Sequence, residues 1–185
     1  IINQSVVPDY ILENSASFGD PYQEFGYKIK TGDVNKDGYS DIIVGQPSYG
    51  FGNLSINANK GRMLIYYVAP KLSDCTNLID LNNPSIVINN DFNGTGGDPY
   101  TGDLFGAEFD VGDINQDGFA DIVALVGTKV KVFNGSAIYS KLTNQYLQGN
   151  VSLNISTDIA PKSIDNVQRT AKLSILGNVD GDANE

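Results

Sequence analysis

Histidine is absent from the 185-residue chain. That excludes Ser-His-Asp and Cys-His catalysis, and any His-ligated zinc or copper site. Cysteine occurs once, at Cys75, so neither an internal disulfide nor a thiolate cluster can form. A lone cysteine reads as a small, buried or half-exposed apolar side chain. No apolar run approaches the roughly 18 residues of a membrane span. Basic residues are scarce: 12 Lys and Arg stand against 22 Asp and Glu, for a net charge of −10. That balance argues against nucleic acid or an anionic membrane as partner, since both reward a basic patch. It leaves two readings, a soluble self-repelling surface or acids that hold cations, and the clustering of Asp described below favours the second. The chain starts at Ile1 without a methionine, a basic leader or an apolar signal stretch, and it stops at Glu185 within a loop. It is expected to be a segment of something longer.

What the chain does contain is short apolar runs rich in Ile, Val and Tyr, bounded by Gly, Asn, Asp and Pro. Such punctuation marks an all-β protein. The strand candidates are 27–32, 41–46, 62–69, 85–89, 107–112, 121–127, 129–135, 151–156 and 172–177. Only 137–147, "AIYSKLTNQYL", suggests a short helix. The connections at 70–84 and 89–104 are rich in Asn, Pro and Gly and are expected on the surface.

One decapeptide is written twice. "GDVNKDGYSD" at 32–41 returns as "GDINQDGFAD" at 112–121, an 80-residue spacing from Asp33 to Asp113. Repeated order outranks any single element. In the first copy Asp33, Asn35 and Asp37 fall at positions 1, 3 and 5, Gly38 at 6, Tyr39 at 7 and Asp41 at 9. In the second the same positions hold Asp113, Asn115, Asp117, Gly118, Phe119 and Asp121. Alternating oxygen side chains converge if the backbone curls, and glycine permits the sharp turn at positive φ. Position 7 contributes a backbone carbonyl, which leaves its side chain free to be Tyr39 or Phe119. A cage of carboxylate, amide and carbonyl oxygens suits a hard cation, calcium above magnesium or zinc. Without the ion the carboxylates repel, so binding is expected to couple to folding of the loop. A third copy is partial: Asn178, Asp180, Asp182 and Asn184 sit at positions 1, 3, 5 and 7, with Ala183 where the glycine belongs. An EF-hand is ruled out, because position 12 is Val44 or Ala124 instead of Glu, and a strand pattern follows each loop.

At these residues the chain resembles a known family. "FGYKIKTGDVNKDGYSDIIVGQP" at 25–47 is similar to an FG-GAP repeat, the blade unit of integrin alpha-chain β-propellers and of many other cell-surface proteins. Phe25-Gly26 matches its Phe-Gly, and Gly45-Gln46-Pro47 stands where the family has Gly-Ala-Pro. The second copy keeps Phe105-Gly106 but has Ala124-Leu125-Val126 at the latter place; the third has Thr170-Ala171 where Phe-Gly would fall. The resemblance implies β-propeller blades of antiparallel strands forming an incomplete arc. It divides the chain into an N-terminal segment at 1–24 (an outer or exchanged strand), a first blade at 25–104, a second at 105–170 and the start of a third at 171–185. It also implies that the two full loops are structural calcium sites, with a third site partial, and that none of these acids is catalytic.

Six N-x-S/T sequons, at Asn3, Asn53, Asn93, Asn134, Asn150 and Asn154, are glycosylation candidates and add to an extracellular reading. Extracellular modules bind calcium weakly, at about 10⁻⁴–10⁻³ M, which extracellular calcium satisfies. Three functions stay open. The chain is a calcium-stabilised adhesion or recognition module for a protein or carbohydrate partner, a glycosylated subunit of a fibre or coat built from copies of the chain, or an accessory propeller of a secreted hydrolase. In the second case "IINQSVV" at 1–7 could act as a donor strand.

Overall fold

Asp41–Gln46 shows how these strands arise. Its β-branched run Ile42-Ile43-Val44 presents apolar groups to both faces, and Ile43 and Val44 are fully buried. Such a strand belongs in the middle of a sheet with both faces covered. The computed structural model of the chain describes residues 24–49, 60–68, 84–91, 102–143, 151–155, 159, 162–164 and 171–175. Its elements run β1 (Ile29–Gly32), β2 (Asp41–Gln46), β3 (Arg62–Tyr66), β4 (Ile86–Asn89), β5 (Phe109–Gly112), β6 (Asp121–Val126), β7 (Lys129–Phe133), α1 (Gly135–Thr143), β8 (Val151–Asn154) and β9 (Lys162–Ile164). One sheet has the order β1-β2-β3-β4-β8, the other β5-β6-β7-β9. Among the described residues the architecture is all-β with one short helix, two blade-like sheets that do not close into a ring.

The repeat is preserved in register. Gly32 pairs with Asp41 and Ile29 with Val44, as Gly112 pairs with Asp121 and Phe109 with Ala124. Each acidic decapeptide therefore spans the link between the first two strands of its sheet. Both sheets are antiparallel with one exception: β8 runs parallel to β4, pairing Ile86 with Val151. Residues 105–170, expected as one blade, thus give β5, β6, β7 and β9 to the second sheet but β8 to the first. The helix begins two residues before the expected stretch, because Asn134 caps it by accepting the Ala137 N–H at 3.1 Å. Residues 172–175, the described part of the strand expected at 172–177, are not in a strand. The Leu173 and Ile175 N–H groups instead donate to the carboxylates of Glu108 and Asp110, at 2.8 and 2.6 Å. The donor-strand candidate at 1–7 and Cys75 lie outside the described residues.

The two sheets share one core. Ile43, Met63, Ile65, Ile86 and Ile88 from the first join Phe105, Phe109, Ile122 and Phe133 from the second, all fully buried. Each such side chain contributes about 1.5–3 kcal/mol. On the other face of the first sheet Val44, Leu64 and Tyr66 form a smaller cluster with half-buried Phe25 and Ile42.

The Phe105-Gly106 dipeptide locks the sheets together. The Phe105 N–H donates to the Lys60 carbonyl at 3.1 Å, and Phe105 bridges in parallel to Gly61. A Cβ at Gly61 would run into the Phe105 backbone, and one at Gly45 would strike the Gly106 carbonyl. Only bare backbone permits that approach. A polar ladder runs beside it. Lys28 Nζ and Lys30 Nζ each lie 2.8 Å from a carboxylate oxygen, of Glu108 and Asp110 respectively. Burial would raise both carboxyls, but the hydrogen bonds from Leu173, Lys28 and Lys172 to Glu108, and from Lys30, Ile175 and Val111 to Asp110, outweigh it. Both are held below the usual carboxylate range.

Candidate metal centres in the acidic loops

Each loop is wound by its own acids. In the first, Asp33 accepts the Asp37 N–H through Oδ1 at 3.1 Å and the Gly38 N–H through Oδ2 at 2.8 Å. In the second, Asp113 accepts the Asp117 and Gly118 N–H groups at the same two distances. Asn35 and Asn115 each accept the N–H two residues on, at 3.0 Å. Asp37 then takes the Tyr39 N–H and Asp117 the Phe119 N–H, both at 2.9 Å. Such side-chain-to-backbone bonds are what Asp and Asn make in turns. The curl puts position 6 at positive φ, 89° at Gly38 and 86° at Gly118. Position 4 is left-handed too, at Lys36 and Gln116, with φ of 61° and 58°. No glycine marks that position in the sequence.

Position 9 does different work. Asp41 and Asp121 open β2 and β6 and are almost fully buried. Asp41 accepts the Val34 N–H at 3.0 Å and the Val68 N–H at 2.9 Å, tying the start of the loop to the chain leaving β3. Asp121 accepts from Ile114 at 3.1 Å and from Gly135, the first residue of α1, at 2.8 Å. Burial pushes the Asp41 carboxyl up to about 7, against the two backbone bonds and with the charges of Asp37 and Asp33 adding to it. Nearby, the Tyr67 hydroxyl is buried without a hydrogen-bond partner. Burial first, then the charge of Asp41, pushes its ionisation well above the usual phenol range. Asp117 is held low, chiefly by the Phe119 N–H, with Ser136, Asn115 and Lys36 helping.

Positions 1, 3, 5 and 7 of each full loop lie on the turn and position 9 opens the strand that follows; the donors are oxygens throughout. That chemistry fits a hard cation and does not fit zinc. Among the described residues no three Asp, Glu, His or Cys side chains gather as a metal-holding group. The carboxylate oxygens are directed at backbone amides, except Asp37 Oδ2 and Asp117 Oδ2, which accept from the Asn35 and Asn115 side-chain amides, and each oxygen has a second lone pair to offer. Tyr39 is exposed and Phe119 half-buried against Tyr139, with ring centroids 5.4 Å apart. The third loop, Asn178, Asp180, Asp182 and Asn184, lies outside the described residues. So do the sequons at Asn3, Asn53, Asn93 and Asn150. Asn154 falls in β8, and Asn134 is the cap of α1.

One feature has no signal in the motif. The loops touch: the Ala120 N–H donates to the Asp33 carbonyl at 2.7 Å, and Lys36 Nζ donates to the Asp117 carbonyl at 2.6 Å. The repeat shows each loop, but nothing in it shows that neighbouring copies meet.

Comparison with known proteins agrees with the motif. Residues 25–62 match the FG-GAP repeat family. The chain is 30% identical over 164 residues to phosphatidylinositol-glycan-specific phospholipase D of Mus musculus, covering 83% of this chain and 17% of that protein. It is 30% identical over 157 residues to integrin alpha-8 of Mus musculus, covering 80% of this chain and 13% of that protein. The chain therefore spans less than a fifth of the length of either relative. No helix among the described residues is long and apolar enough to cross a membrane.

Proposed function

We propose, with the FG-GAP repeat at residues 25–62 as premise, that this chain is a calcium-stabilised segment of an extracellular β-propeller that serves adhesion or recognition and is not itself catalytic. The observation that supports it most is the bond-for-bond agreement of two acidic turns 80 residues apart, each joining the first two strands of its sheet. In this reading Asp33, Asn35, Asp37, the Tyr39 carbonyl and Asp41 hold one ion. Asp113, Asn115, Asp117, the Phe119 carbonyl and Asp121 hold the other. Bound calcium would neutralise the carboxylates and brace each hairpin; the residues themselves orient the turn through the amide bonds described above. The likeness to an integrin alpha chain favours a protein or carbohydrate partner. The likeness to a phospholipase favours a second reading, an accessory propeller carried by a secreted hydrolase.

Thermal melts with EDTA and with calcium test the calcium reading. At 10 mM calcium, a dissociation constant near 10⁻⁴–10⁻³ M corresponds to about 1.4–2.7 kcal/mol of stabilisation per site. A melting temperature indifferent to both additions would reject it.

A further inference from the structure

The contact between the loops joins ligand-bearing stretches of both. From the first loop it uses position 1, through the Asp33 carbonyl, and position 4, through Lys36. From the second it uses positions 5 to 8. The Lys36 ammonium sits 2.6 Å from the Asp117 carbonyl and 5.2 Å from the centroid of the Phe119 ring. Its stem lies so close to Gly118 that a Cβ there would come within 2.6 Å of Lys36 Cε. Ala120, which donates to Asp33, immediately precedes the buried Asp121. Lys36 is flanked by Asn35 and Asp37, so any ion that fixes the first curl also fixes the direction from which Lys36 reaches across. Gln116, at the matching place in the second loop, has the same left-handed backbone but no ammonium.

We propose that Lys36 couples the two cation sites, so that filling the first loop preorders the turn Asp117-Gly118-Phe119 and the two sites bind calcium with positive cooperativity. This rests on the calcium reading above. A charge-assisted hydrogen bond and a cation–π contact are preorganised by the first ion, against a screened repulsion between the ammonium and the second ion. Lys36 is a positioning residue and touches neither ion.

The test is calcium titration calorimetry on the 185-residue chain, with the single-loop variants Asp33→Asn/Asp37→Asn and Asp113→Asn/Asp117→Asn beside it. Emptying either loop is expected to weaken the other on the order of threefold to tenfold. Linkage requires the two factors to be equal. Lys36→Ala and Lys36→Met should abolish the factor, while Lys36→Arg should keep it; the direct effect of the lost charge on the second loop is read separately, in the Asp33→Asn/Asp37→Asn background. Because Lys36 is no ligand, these variants report on coupling even where a single-loop variant folds poorly. Independent sites in the unaltered chain would overturn the proposal, as would coupling that survives in Lys36→Ala. Absence of any calcium heat in the unaltered chain would overturn the calcium reading along with it.

Discussion

The first and second units carry nearly the same residues in the same bonds, yet their surroundings treat them differently. Phe105 is fully buried and hooks onto Gly61, whereas Phe25, its counterpart, is half-buried beside Val44, Leu64 and Tyr66. Position 4 of the first loop is Lys36, which reaches across to the Asp117 carbonyl, whereas position 4 of the second is Gln116, with no ammonium to extend. A repeat therefore specifies local winding, while the position of each copy in the arc sets its energetics.

The widest gap is expected between the two Phe-Gly motifs. Phe105→Ala should cost about 3–5 kcal/mol, since it empties a site shared by both sheets. Phe25→Ala should cost about 1 kcal/mol, from partial burial alone. Urea denaturation of the two variants measures both, and equal losses would remove the distinction.

Where the units are alike, they should fail alike. Asp41→Ala and Asp121→Ala each strand two backbone N–H groups in a buried setting, for about 2–4 kcal/mol in EDTA. A large difference between them would mean that the shared bond pattern does not carry the winding.

The acids of the two units should also oppose each other in pH. Asp41 has a folded value of about 7 against an ordinary 3.8, so the folded chain binds the extra proton. In EDTA its contribution falls as pH rises between those values, and Asp41→Asn should flatten that descent. Glu108 and Asp110 are shifted the other way. Their contribution is complete above the ordinary carboxylate values and is lost as pH falls through the lowered ones, a loss that Glu108→Gln should blunt. Denaturation series across this range in EDTA would show both limbs. A monotonic profile would contradict the pair.

The smallest contrast lies between the two lysines on Glu108. Lys28 has a side chain only 20% exposed and Lys172 one that is 86% exposed. Lys28→Ala should cost about 1 kcal/mol and Lys172→Ala no more than about 0.5 kcal/mol. Parallel denaturation curves would order them, and the reverse order would move the weight of the ladder to residues 171–175.

Several elements were legible in the residues. Asp41–Gln46 has the bounds expected from the sequence, because the acidic turn and Pro47 bound it sharply. Gly38 and Gly118 announced the left-handed turn at position 6, and the strand after each loop excluded the EF-hand. Less legible were the short ends, where 62–69 shrinks to Arg62–Tyr66 because Val68 N–H turns aside to Asp41. The pairing of β8 with β4 was not legible at all. Its residues suit any β-sheet, and nothing in "VSLN" names a partner.

The residue order alone determined what is local: two oxygen-rich turns, their glycines, and the short β-branched strands on either side. These follow from bonds between groups a few positions apart, which any copy of the decapeptide can make. Tertiary structure alone decided the rest: Phe105 against Gly61, Glu108 among two lysines and a backbone amide, and Lys36 on the neighbouring loop. Those contacts join residues tens of positions apart. They exist because two sheets must bury their apolar faces against each other, and no short-range pattern encodes which polar groups that packing brings together.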